Sequence, residues 1–212
     1  MRTVRDLDRV TFVSAKTIRA DERTNWETWL TGHATAHDGG LWRLLDPGPA
    51  GRPGAGHSHV IHLPGGRTDH FDEATANARR DGRAAGHAEI RRDEWSRAGD
   101  GIARESDGEV TGLIVAEVLC IDPTRVDEWD EWYDTQHLPD MMASGAFAAG
   151  SRWRRTDART GSANHLTIYE IAGGSVDEAV ERSAAVMPNL IAQGRKHECH
   201  AGGLTWALDA VG

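Results

Sequence analysis

Lysine is nearly missing from this chain. Lys16 and Lys196 are the only two, and almost all positive charge is arginine. The bias is one of composition and points to no function. Cysteine is as scarce. Cys120 and Cys199 alone build neither a disulfide framework nor a CxxC metal site, and Cys120, inside an apolar run, reads as a small buried hydrophobe. No run of about 18 apolar residues occurs, so no membrane-spanning helix is expected. The opening "MRTVRDLDRV" has no apolar signal region, which makes the cytoplasm the default location. The formal net charge is -9, a poor match to phosphate backbones or anionic lipid, so neither nucleic acid nor membrane is an expected partner. GxSxG, kinase and Walker signatures are absent. The Pro/Gly segment "DPGPAGRPGAG" (46–56) lacks the GxGxxG order and a helix directly after it, which excludes a phosphate loop.

Hydrophobic residues make up 39% of the 212 and charged residues 27%, enough for a packed core. The chain then repeats itself. Strand-like "VTFVSAKTI" and "LIVAEVLCI" each precede a Trp-rich amphipathic segment, "DERTNWETWLTGH" and "DPTRVDEWDEWYDTQH". A Trp-Arg strand follows in each half, "LWRLLD" and "RWRRTD", then "HSHVIHLPGG" and "NHLTIYEIAGG". Second helices begin at "FDEATANA" and "VDEAVERSA", and each half closes on a strand near "HAEIRRDEW" and "ECHAGGLTWAL". The order is βαββαβ, twice. Asp122-Pro123 reads as a helix start, and Ser175 and Glu178 have capping-box spacing. Val176, Val180, Met187 and Ile191 fall on one helical face. Residues 99–109 read as the connector, dividing the chain into units 1–102 and 103–212.

A βαββαβ unit leaves one sheet face bare, and two units can bury those faces together. The duplicated pattern, with "WYDTQHLPDMMASGAF", resembles the dimeric α/β-barrel superfamily, and its EthD-like branch in particular, where an aromatic helix often ends in His-x-Pro. The fold class expected is α+β: tandem ferredoxin-like units whose antiparallel sheets pack into an intrachain α/β barrel. The motif here is His137-Leu138-Pro139. The first half has no proline after His33, so a site carried over belongs to the second half. With both units in one chain, a monomer closes its own barrel, and a homodimer through helix faces or edges stays open.

Pro139 has no N–H for the carbonyl of Thr135, so the helix is expected to end or kink near Leu138. His137 then occupies a last turn, where exposed carbonyls raise an imidazole pKa and burial lowers it. One reading is a histidine that caps the broken turn. The other, implied by the resemblance, is an acid/base or substrate-orienting histidine facing the barrel cavity. Trp129, Tyr133 and His137 share a broad face, and Trp132 and Tyr133 are expected to shape the cavity. On "HLTIYEI", His165, Thr167 and Tyr169 alternate with Leu166, Ile168 and Glu170. His165 and Tyr169 are candidate substrate contacts. Glu117, the one charge in "LIVAEVLCI", is a candidate catalytic group or a structural ion pair. Arg152 is available to Glu117 or to an anionic substrate.

His33 and His37 have i, i+4 spacing that suits a metal, without the metalloprotease Glu. In "HECH", a strand would put His197 and Cys199 on one face and His200 on the other, so no joint site and no metal are expected. The resemblance implies a small-molecule enzyme without a cofactor, acting on a hydrophobic, aromatic or polyketide-like compound by isomerisation, cyclisation, cleavage or oxygenation. The alternatives are a non-catalytic binding protein and a heme enzyme of the same fold.

Overall fold

A computed structural model describes residues 4–16, 23–36, 39–44, 57–64, 69–82, 89–105, 108–156 and 164–210. Eight strands, β1 (Arg9–Lys16), β2 (Gly40–Leu44), β3 (His57–Pro64), β4 (Glu89–Ala103), β5 (Val110–Cys120), β6 (Ala149–Arg155), β7 (His165–Ala172) and β8 (His200–Ala210), pair in the order β1-β3-β2-β8-β5-β7-β6-β4 and close on themselves. Every pairing is antiparallel. Each set of four keeps the ferredoxin-like order, and the sets are joined at β2–β8 and β4–β6. The faces expected to pack are thus wrapped into one barrel, and edge hydrogen bonding removes every open edge. Helices α1 (Arg23–Ala36), α2 (Asp69–Arg80), α3 (Val126–Trp132), α4 (Leu138–Ala143) and α5 (Val176–Ala192) complete the fold. No helix among the described residues is long and apolar enough to cross a membrane.

Residue alternation decides which face is inside. Val10, Phe12, Trp42, Trp95, Leu113, Val115, Trp153, Leu166, Ile168, Trp206 and Leu208 form one buried cluster. They come from seven strands around the ring and from none of the α-helices, so they fill the interior. An eight-stranded barrel is just wide enough for side chains to fill it, and four indoles do so here, one each from β2, β4, β6 and β8. All four are at most 3% exposed. The inward-facing ion pair Arg155–Asp93 (2.6 Å) is buried beside them, with the Arg155 guanidinium 4.2 Å from the Trp95 ring centre.

A second cluster joins the alternate residues Ile114, Val118, Tyr169, Ile171 and Ala207 to Trp129, Trp132, Tyr133, Leu138 and Met141. This is the outer wall of the second half, covered by α3, α4 and α5. Glycine permits the approach: a Cβ at Gly150 would stand 2.7 Å from Leu138 Cδ1, and one at Gly112 would overlap Val176.

Two boundaries differ from the sequence reading. The connector expected at 99–109 begins later, because β4 continues to Ala103 and pairs Ile102 and Ala103 with β6. Gly99 and Gly101, at φ +77° and +73°, take up the irregularity before that pairing resumes. The helix expected to end near Leu138 instead runs on through a π-turn at Tyr133–His137 into α4. The Leu138 N–H reaches back five residues to the Tyr133 carbonyl. Widening one turn relieves the clash that an interior proline creates, and Pro139 falls in the first turn of α4, where no N–H is needed. The segment 46–56 lies outside the described residues.

Candidate functional site

The site is built on the α3–π–α4 segment. Asp122 Oδ1 accepts from the Thr124 N–H (2.9 Å) and starts a 3-10 turn at Pro123–Arg125 that leads into α3. Trp129 is fully buried against the outer wall. The π-turn inserts one extra residue per turn. Its widened register brings Tyr133 and His137 edge to face, 4.7 Å between ring centres, while the His137 ring stacks on Trp132 at 5.0 Å. On the other side stands His200, the first residue of β8, 5.5 Å from His137.

A cavity of about 370 Å³ opens between this segment, the outer face of β5, β7 and β8, and the inner stripe of α5. Tyr133, His137, Tyr169, His200, Lys196 and Glu117 supply its titratable lining. Most of the remaining wall is apolar, including Ile114, Met141, Phe147, Val180 and Met187. The apolar stripe on α5 therefore does not simply bury itself. Val176 is buried, Val180 and Met187 face the cavity, and Ile191 at its rim is 53% exposed. Volume and lining are those of a small-molecule site.

Burial dominates the electrostatics. It lowers the His137 pKa to about 4, reinforced by His200 and Arg152 and opposed by Asp140. The last-turn carbonyls do not prevail, because the segment does not end there. His200 is likewise lowered to about 4, by burial first and then by Lys196 and His197. Both imidazoles are neutral at physiological pH. Burial raises the pKa of Tyr133 and Tyr169, so both phenols stay protonated. Thr167 Oγ1 donates to the Tyr133 hydroxyl at 2.6 Å.

The sequence candidates divide into two groups. His137, Tyr133, Tyr169 and Glu117 line the cavity. Glu117 is 6% exposed and already engaged in an interaction of its own. Trp132 instead walls a small annex shared with His137, and its Nε1 donates to the Arg195 carbonyl at 2.9 Å. Arg152 lies under α3, paired with Asp130 and with Asp134 (2.8 Å), its guanidinium 4.7 Å from the Tyr133 ring centre. His165 sits 4.6 Å from the Trp129 ring and bonds Asn164 at 2.7 Å. Arg152 and His165 thus support the aromatic segment from behind and do not border the cavity. The expectation that His137 faces the barrel interior is corrected: the interior is filled by indoles, and His137 faces a cavity outside the wall.

His200 and Lys196 were missed. The strand reading of "HECH" misled, because residues 197–199 form a turn in which the Cys199 N–H donates to His197 Nδ1 (3.1 Å) and β8 begins only at His200. That turn places His197 and His200 each 5.4 Å from the Trp132 ring. In the first half, His33 packs on Trp29 and Phe71, and His37 lies outside the described residues. Among the described residues, no group of three or more His, Cys, Asp or Glu is placed to hold a metal ion.

No family model matches the chain, and no curated protein matches it. Solved structures of the same fold do. An arginine-to-lysine mutant of chlorite dismutase from Candidatus Nitrospira defluvii is similar at a TM-score of 0.64 and 9% identity, over 98% of this chain and 92% of that one. A protein from Fusobacterium nucleatum named "putative monooxygenase" is similar at 0.60 and 12% identity, over 97% and 94%. An anthrone oxidase-like protein is similar at 0.51 and 13% identity, over 98% and 93%. The chain has the ferredoxin-like, dimeric α/β-barrel fold, with both halves of the barrel in one polypeptide.

Proposed function

We propose that the protein is a cofactor-independent oxygenase of hydrophobic aromatic compounds, with His137 as its base. The carrying observation is a neutral, uncommitted imidazole in the wall of an apolar cavity: among the described residues no hydrogen bond engages either of its ring nitrogens. The names of the monooxygenase and anthrone oxidase-like neighbours agree with oxidative small-molecule chemistry. An aryl ketone with a benzylic CH2, as in an anthrone, suits the cavity. His137 takes a proton from that carbon, the resulting enolate reduces dioxygen, and one oxygen atom ends in the new carbonyl and the other in water. The sum is CH2 + O2 → C=O + H2O.

An imidazole with a pKa near 4 is a weak base in the free protein. Proton transfer, however, creates a substrate anion beside it, and an opposite charge within about 4–6 Å favours imidazolium. The pair forms in an apolar cavity, where that attraction is least screened. Tyr133 fits the role of oxyanion donor. With Thr167 donating to its oxygen at 2.6 Å, its own proton is left to donate. Titratable groups on the wall favour an enzyme over a passive binder.

Heme, which the barrel resemblance also implies, fits these residues poorly. At about 370 Å³ the cavity is near the low end for drug-sized ligands, and a macrocycle is larger. Adding hemin to the purified protein should give no bound Soret band.

The test is a panel of anthrones and naphthols incubated with and without dioxygen, with 18O2 as tracer. One labelled oxygen per product, formed only aerobically, supports the reading. Turnover of no member, or equal anaerobic turnover, removes it.

A further inference from the structure

Lys196 is one of two lysines in the chain, and it borders both the main cavity and the annex beside His137 and His200. Its setting is rigid. Helix α5 ends at Ala192, and Gly194 just beyond it, at φ +68°, turns the chain back toward α4. Arg195 is then held by Asp140 through Nε at 2.7 Å and Nη2 at 2.9 Å, and its carbonyl accepts from Trp132. On the other side His197 meets Glu128 at 3.2 Å. Both neighbours of Lys196 are tied down. Lys196 itself makes no ion pair among the described residues, and it lines the open end of a cavity whose walls are mainly apolar. The only other charged residue in that lining, Glu117, already has an interaction of its own. Among the described residues this ammonium has no counter-ion, and a ligand would bring one.

We propose that the compound bound in this cavity is an aromatic anion, a carboxylate or ionised phenol, whose charged group pairs with Lys196 while its rings lie along Phe147, Met141 and the α5 stripe. The inference rests on the proposed reading of the cavity as the substrate site and adds the charge of the substrate to it. The anion would sit next to His200 and His137, at the polar end of the cavity, with the apolar body directed away from solvent. Lys196 is exposed, so the pairing is a modest contribution to affinity and a larger one to orientation.

The experiment measures dissociation constants for 2-naphthoate and its neutral isostere 2-naphthamide by quenching of tryptophan fluorescence. Wild type should prefer naphthoate by about three- to tenfold at low salt, and added salt should reduce the preference. Lys196→Met keeps the apolar stem and should erase the preference while leaving naphthamide affinity unchanged. Lys196→Arg should restore it. Equal affinity of wild type for both probes, or a preference that survives in Lys196→Met, overturns the anionic-substrate inference and leaves the cavity reading standing. Failure of both probes to bind overturns the two together.

Discussion

The His137 imidazole, at the end of the one turn of the segment that is not α-helical, stacks 5.0 Å from the ring of Trp132 at an interplanar angle of 24°. The stack covers one face of the imidazole, whose ring lines the cavity. A π-turn inside a helix carries poorer hydrogen bonding than the α-helix around it, and such turns recur at functional sites. Here it has two effects that one feature explains: it admits Pro139, and it swings His137 against Tyr133 and His200.

A pH profile for the proposed reaction follows from that burial. The His137 pKa is lowered to about 4. The log of kcat/KM on the free enzyme should therefore stay level from about pH 8 down to about pH 5 and fall only below that. A surface histidine would give an inflection near pH 6.5. Steady-state rates across pH 3.5–8 would check this, and an inflection near 6.5 would place the working base elsewhere.

Stability should depend on pH with the opposite sign to a salt-bridged histidine. His137, His165 and His200 all have folded pKa values near 4 against 6.5 unfolded. The unfolded chain binds protons first, so stability is full above pH 6.5 and falls as pH drops toward 4. Below that the contribution is flat. Melting temperatures from pH 7.5 to 4 should show the decline, and His165→Phe should flatten it, since that ring is boxed by Trp129. An unchanged slope in the variant would argue that His165 is solvated.

Much of the fold was legible in the sequence because the duplication is carried by tryptophan. Trp26 and Trp29 on α1 match Trp129 and Trp132 on α3, Trp42 matches Trp153, and Trp95 matches Trp206. What alternation leaves open is direction. Strand β5 is apolar on both faces, so a period of two separates Leu113 and Val115 from Ile114 and Val118 without saying which pair looks inward. The ring of indoles answers that, and it moves the cavity outside the wall. Pro139 likewise announced a conflict with the carbonyl four residues back, and a widened turn resolves it as well as a helix end would. His200 was hidden because the extra turn at 197–199 breaks the strand register on which the sequence reading depended.

Tyr133→Phe separates catalysis from packing. The hydroxyl accepts from Thr167, and its loss leaves that buried group without its partner, a cost of about 1–3 kcal/mol. Urea unfolding should show a loss in that range with the fold retained. If Tyr133 donates to the substrate oxyanion, kcat should drop by about 10²-fold or more with KM little changed. A drop in stability alone would make the tyrosine purely structural.

The cavity is also testable by volume. Met187→Trp adds bulk to the α5 stripe at a half-buried position and should weaken ligand binding by more than tenfold while changing stability by less than about 3 kcal/mol. Gly150→Ala acts from the opposite side: its Cβ meets Leu138 Cδ1 at 2.7 Å, pushing α4 off the wall at a cost of about 1–3 kcal/mol. Binding unaffected by Met187→Trp would locate the ligand elsewhere.

The most direct test is dioxygen uptake with the best anthrone of the panel, compared between wild type and His137→Gln. Glutamine preserves much of the volume and polarity at the cavity wall but cannot accept the proton as a base. The account predicts one O2 consumed per substrate by wild type and a fall in kcat of about 10²- to 10⁴-fold in the variant, with the melting temperature retained and naphthamide still bound. Wild-type turnover in a folded His137→Gln would contradict it.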